Sequence, residues 1–293
     1  MRLQTLLPAI VIVIAALVAT SSAQTGTARA EQDDTGFASY LEFGGTHNAD
    51  GQIYDLTTSV GYNFSKHFGM DVGLPIYFIR PSSATGGTST NGIGNPFVDA
   101  HVRWAGPVVN FGSALTGFAP AADSKKGLST GRGTYDWTNH IDHTFSNLTP
   151  FGELGLSNTI ADSKLFLRPF TTLGFNAHFQ LGANYDLWKI FSVGAAGYDI
   201  VPTGQQTVFS KVSGGSGNVN PASHGRVFAN NQQTTGTADI AKDHGFSTWV
   251  DASPGRYVDM ELGFTRSMHY DLNSVSFTIG LNLGKLYRDS NKK

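Results

Sequence analysis

Residues 54–64 read Tyr54-Asp55-Leu56-Thr57-Thr58-Ser59-Val60-Gly61-Tyr62-Asn63-Phe64. Successive side chains of a β-strand point to opposite faces. One face of this stretch therefore carries Tyr54, Leu56, Thr58, Val60, Tyr62 and Phe64, and the other Asp55, Thr57, Ser59, Gly61 and Asn63. The first face suits hydrocarbon and the second suits water.

The pattern recurs. Phe68, Met70, Val72, Leu74, Ile76 and Phe78 oppose Gly69, Asp71, Gly73 and Tyr77. Leu173, Phe175, Ala177, Phe179, Leu181, Ala183 and Tyr185 oppose Thr172, Gly174, Asn176, His178, Gln180, Gly182 and Asn184. Val275, Phe277, Ile279, Leu281 and Leu283 oppose Ser274, Ser276, Thr278, Gly280 and Asn282. Such runs exceed the usual strand of about 5–6 residues and reach the roughly 9–11 that a tilted strand needs to cross a membrane. The pattern predicts an all-β protein, an antiparallel transmembrane β-barrel. Twelve strands are expected, at 37–45, 52–64, 68–79, 96–105, 108–119, 134–145, 150–160, 170–185, 190–201, 245–252, 257–268 and 273–283, with ten and fourteen the neighbouring even counts.

Composition agrees. Only 14% of residues are charged, beside 35 Gly, 20 Phe and 10 Tyr, whereas a soluble domain carries about a quarter charged residues. A secreted β-sandwich would need more charge on its exposed faces. Twenty basic against 22 acidic residues give a net charge of −2, so no global field favours nucleic acid as a partner. Without cysteine, the chain has no disulfide, thiolate or Cys-based zinc chemistry, and no cofactor is expected.

The connections support the barrel independently. Tight turns at 65–67, 106–107, 146–149, 186–189 and 253–256 alternate with longer links at 80–95, 120–133, 161–169 and 202–244, while 46–51 and 269–272 are short. Short periplasmic turns and long extracellular loops are the habit of outer-membrane barrels, which puts both termini in the periplasm. Phe64, Phe68, Trp104, Phe145, Phe151, Tyr185, Trp188, Tyr257 and Tyr287 gather near strand ends, as an interfacial aromatic girdle would.

At the N-terminus, Arg2 precedes an apolar run from Leu6 to Val18, broken by Pro8 and followed by small residues through Ala23. This is the layout of a cleaved signal peptide, with a retained anchor helix as the alternative. The expected organisation is a signal peptide at 1–23, a linker at 24–35, a barrel at 36–287 containing a long extracellular loop at 202–244, and a polar tail at 288–293.

The step Asn91-Gly92-Ile93-Gly94-Asn95-Pro96 leads into Phe97-Val98-Asp99-Ala100-His101-Val102-Arg103-Trp104. This stretch, with the strand rhythm of the mature chain, resembles the outer-membrane barrel proteins associated with meta-pathway phenol degradation, which carry a G-x-G-[DN] step into an alternating strand. The resemblance implies an outer-membrane location and the movement of small, often aromatic, compounds. Asn95 and Pro96 depart from that family's usual Asp and apolar residue. Barrels commonly end on an aromatic residue read by the barrel-assembly machinery. Here Tyr287, in phase with Phe277 to Leu283, is the candidate, and the polar residues 288–293 follow it.

Projecting the expected strands inward collects Glu42, Asp55, Asp71, Asp99, His101, Arg103, Glu153, His178, Asp259 and Glu261 as lumen-lining candidates. A ring of carboxylates around water favours cations; the competing reading is a salt-bridged packing layer. His140-Ile141-Asp142-His143 is the densest cluster, but His140 and His143 fall on opposite strand faces, so no metal site is expected. His143-Thr144-Phe145-Ser146-Asn147 is similar to the His-x-Ser-Asn of lipid A deacylase barrels, with one residue too many between His and Ser. The expected function is that of a non-enzymatic channel or transporter for small solutes, small hydrophobic or aromatic compounds among them, seated in outer-membrane lipid. A structural or adhesive barrel with a plugged lumen is the alternative, and a lipid-modifying enzyme is the more distant one. The loop at 202–244 either folds into the lumen as a constriction or sits outside as a cap.

Overall fold

A computed structural model describes residues 35–213 and 226–291 of the chain. The expected signal peptide and all but the last residue of the linker lie outside the described residues. The wall is built from β1 (Gly36–Asn48), β2 (Gly51–Asn63), β3 (Phe68–Pro81), β5 (Phe97–Ala105), β6 (Asn110–Phe118) and β7 (Thr134–Asp142). It continues through β8 (Leu148–Ser157), β10 (Asn176–Trp188), β11 (Phe191–Pro202), β14 (Asp243–Gly255), β15 (Val258–Ser267) and β16 (Leu272–Asn282). Each pairs antiparallel with its neighbour, and β16 pairs back onto β1, so the sheet closes as a twelve-stranded barrel. Closure leaves no unpaired edge to face lipid.

The alternation works as predicted. Val60, Tyr62, Val72, Leu115, Phe179, Leu181, Leu262 and Val275 are exposed on the outer surface, while their chain neighbours face inward. At the short-turn end the outward aromatics form contacts: Phe64 stacks on Phe68 at 5.4 Å, His67 on Trp104 at 4.9 Å, and Trp188 meets Phe191 edge-on at 6.0 Å. Phe151 does not belong to this girdle. It is buried inside the barrel with Leu165, Ala196 and Trp249.

Two expected elements differ. The run 172–185 alternates without a break, yet the structure splits it at Gly174, whose φ of 152° only glycine adopts readily. A Cβ there would collide with the Gln206 side-chain amide. Thr172 and Leu173 therefore leave the wall as part of β9 (Phe170–Leu173). This strand pairs with β12 (Gln206–Ser210), which pairs with β13 (Gln233–Gly236), making a three-stranded sheet at the long-loop end. A short strand β4 (Thr90–Ile93) also pairs with the outer end of β3.

The second difference is the C-terminus. The last strand stops at Asn282, whose side chain accepts a hydrogen bond from Lys285 N, and Leu283–Ser290 is a helix. Tyr287 therefore loses the strand phase and instead meets Phe37 edge-on at 5.7 Å. Asp289 accepts from the Tyr257 hydroxyl at 3.0 Å, fixing the helix beside the short-turn end.

The largest buried cluster joins the outer ends of wall strands to the residues that cap them. Ile53, Ile79, Leu128, Ile160, Phe166, Phe170, Val208, Phe228, Tyr270 and Leu272 pack together at the long-loop end, with Phe170, Phe228 and Tyr270 within 4.7–5.2 Å of one another. Asp50 and Arg226 clamp this cap through an ion pair of 2.9 Å.

Candidate functional site: the lumen and its in-folded segment

Residues 159–168 do not loop outward. Leu165 packs among Phe151 of β8, Ala196 of β11 and Trp249 of β14, and its carbonyl accepts from Thr265 Oγ1 of β15. Two residues on, Leu167 N donates to Thr46 Oγ1 of β1 at 2.9 Å. In the closed order β8 and β1 lie on opposite sides, so the segment crosses the lumen. Gly263 permits the crossing, since a Cβ there would collide with Leu165 Cδ2.

Charges hold the segment. Lys164 Nζ lies 2.9 Å from Glu42 Oε2. Burial alone would lower the pKa of this ammonium, but Glu42, Glu261 and Asp259 outweigh it and hold it above the usual lysine range. Arg168 Nη1 lies 2.7 Å from Asp243 Oδ2, which also accepts from the Tyr198 hydroxyl. The Asp162 carboxylate takes Lys211 Nζ at 2.7 Å, the Tyr77 hydroxyl at 3.0 Å and Arg168 N at 2.8 Å.

The ten residues expected on the lumen face sort into groups. Glu42, Asp259 and Glu261 surround Lys164. Asp259 also accepts from Ser253 and Tyr40, and Glu261 stands directly across from Asp251. Asp71, Asp99 and His101 converge nearer the short-turn mouth, with His101 Nδ1 2.9 Å from Asp99 and 3.4 Å from Asp71, and Thr116 donating to Asp99 at 2.7 Å. Their ligand atoms lie within 4.8 Å of one another, the one such grouping among the described residues. Arg103 follows His101 on the same face, half-buried. Glu153 is buried across from His140, and His178 Nε2 lies 3.2 Å from Asp136. Asp55 lies on β2 near Glu42, with the Thr57 hydroxyl donating to it at 2.9 Å.

Asp136, Asp251, Asp162, Lys164, Arg168, Lys211 and Asp243 are absent from the expected set. The strand period places Asp136 and Asp251 on the inward face, and Asp243 too once the strand is carried to its true start. Nothing in the local pattern marks the other four, because their partners lie far away in sequence. Ser146 and His143 form no catalytic pair: Ser146 sits in the tight turn at φ 56° with its hydroxyl on Asn147, and the His143 ring meets Phe145.

Two cavities flank the segment. One of about 220 Å³ lies between it and β1 to β7, lined by Glu42, Asp55, Pro75, Tyr77, Phe97, Phe118, Leu128, Ile160, Asp162 and Lys164 among others. The other, of about 110 Å³, lies on its far side among Asp136, Glu153, Leu165, Arg168, His178, Tyr198 and Thr265. The segment narrows the lumen without filling it.

No family model and no curated protein matches the chain. Among solved structures, an outer membrane channel from Pseudomonas putida F1 is similar over 86% of this chain and 98% of its own, at 11% identity and a TM-score of 0.52. That likeness shows the fold of an outer-membrane channel. The NanC porin (8% identity, 83% and 98% covered, TM-score 0.47) and the KdgM porin (10%, 83% and 98%, 0.46) are more distant. No family model supports the resemblance to the phenol-degradation barrels.

Proposed function

We propose that the protein is a passive channel of the bacterial outer membrane for small solutes, with residues 159–168 setting its aperture. The observation that carries this reading is the pair of cavities left on either side of the in-folded segment. Eight strands make a barrel that side chains fill, and sixteen leave an open channel. Twelve strands leave room that a single crossing segment reduces to passages of small-molecule width. The lipid-exposed apolar belt and the aromatic girdle support a location in the outer membrane, and the sequence of residues 1–23 supports export.

A barrel closed to solutes is the second reading, favoured by the apolar cap around Phe170, Phe228 and Tyr270. Single-channel recording of the refolded protein in a planar bilayer separates the two. The channel reading expects current from the native chain and a larger current when residues 162–167 are replaced by an equal length of Gly and Ser. Silence from both chains overturns it in favour of the closed barrel.

A further inference from the structure

We infer that the larger cavity binds a small organic cation, its ammonium held by Asp55 and its hydrocarbon laid against Phe97 and Phe118. The inference deepens the channel reading and rests on it for the route by which the ligand arrives. Three carboxylates, Glu42, Asp55 and Asp162, line this cavity. Two are already neutralised, Glu42 by Lys164 at 2.9 Å and Asp162 by Lys211 at 2.7 Å. Asp55 is not. Among the described residues it has no ion pair, and its hydrogen-bond donor is the neutral hydroxyl of Thr57.

A carboxyl group that is 7% exposed and has no ion pair is costly to hold charged, and an ammonium entering the cavity supplies the opposite charge that stabilises its ionised form. The wall facing it suits the rest of such a ligand. Phe97 and Phe118 present tilted rings 6.1 Å apart, beside Leu128 and Ile160. The same cavity already shows an ammonium on an aromatic face, with Lys211 Nζ 4.9 Å from the Tyr77 ring centre. Aromatic faces attract cations most where water is excluded. Size sets the upper bound: about 220 Å³ falls below the roughly 300–1,000 Å³ of pockets for drug-sized ligands. A one-ring amine fits this description, and a carboxylate of the same shape would set a second negative charge beside Asp55.

Benzylamine, benzyl alcohol and benzoate share one shape and differ in charge. Calorimetric titration of each into the folded protein in detergent reads the site whether or not the barrel conducts. The expected result is that benzylamine binds at least tenfold tighter than the alcohol, and benzoate not measurably. Asp55→Asn should abolish that preference while leaving the alcohol unchanged, its folding verified by heat-modifiable mobility on a gel. Equal binding of amine and alcohol by the native chain, or an amine preference that survives Asp55→Asn, overturns the inference. In a planar bilayer, benzylamine should also block the potassium current of the native chain, with tenfold weaker block in Asp55→Asn. Current without amine block or binding removes the cation site and leaves the channel. Amine binding without any current removes the channel and leaves the site.

Discussion

Glu261 and Leu262 are neighbours in the chain, and the difference between them is the solvent each meets. Glu261 is buried in the lumen across from Asp251, while Leu262 is 58% exposed on the outer surface in the middle of β15. An Arg on the lipid face near the bilayer midplane costs about 2–4 kcal/mol, because its hydration is lost without replacement. Leu262→Arg should therefore destabilise the barrel by about that much in urea-induced unfolding from lipid vesicles. The lumen offers the opposite environment. Thr57 lies directly across from Glu42 and next but one to Asp55 on the same face, so an added guanidinium finds carboxylates at once. Thr57→Arg should cost less than half of what Leu262→Arg costs. Equal losses would mean that the two faces do not differ in solvent as described.

At the level of the element, the twelve wall strands are legible because each must alternate over about ten residues and pair on both sides. That constraint is local and repeats at period two. The period gives 245–252 where the ladder extends to Asp243–Gly255, so the strand's existence is plain and its length is not. What periodicity hides is departure from the wall. Residues 172–185 keep their alternation through Gly174, so the pattern there does not show that the backbone turns. Tyr287 likewise keeps the strand phase on paper, while the Asn282 cap turns the chain into a helix. Residues 159–168 carry no period at all. Their position depends on Lys164 reaching Glu42 and on Leu167 reaching Thr46, contacts more than a hundred residues apart in sequence. The lumen face of the site is thus readable from strand parity, and the segment that occupies it is not. Gly263 gives that segment a direct test. Gly263→Val would drive its side chain into Leu165, whose nearest methyl already overlaps the place of a Cβ. The expected outcome is a heat-modifiable, folded barrel with raised single-channel conductance, because the crossing segment must move. Unchanged conductance in a folded variant would show that the segment does not limit flow.

The whole molecule is a barrel whose outer belt is largely apolar and whose inner face is acidic. Glu42, Asp55, Asp71, Asp99, Asp136, Glu153, Asp251, Asp259 and Glu261 all project inward, against Arg103 and the cations brought in by the cap and the crossing segment, Lys164, Arg168 and Lys211. Arg168 and Lys211 sit toward the long-loop end and pair with the acids there, and Lys164 reaches deeper to Glu42. Toward the short-turn mouth, Asp71 and Asp99 flank His101 at 3.4 and 2.9 Å, with Arg103 beyond. Carboxylates at a pore mouth attract cations and repel anions, and walls of low dielectric focus their field. On the proposed channel reading, the pair is expected to act on ionic selectivity more than on stability. Asp71→Asn with Asp99→Asn keeps the shape of both side chains, and the new amide oxygens still accept from Thr116 and His101, so folding should persist. Reversal potentials under a salt gradient should move from cation preference toward zero in the double variant, and more so at low ionic strength, where the Debye length rises from about 10 Å at 0.1 M to about 30 Å at 0.01 M. A potential identical in both proteins would place the selecting charges at the crossing segment, around Lys164 and the acids beside it.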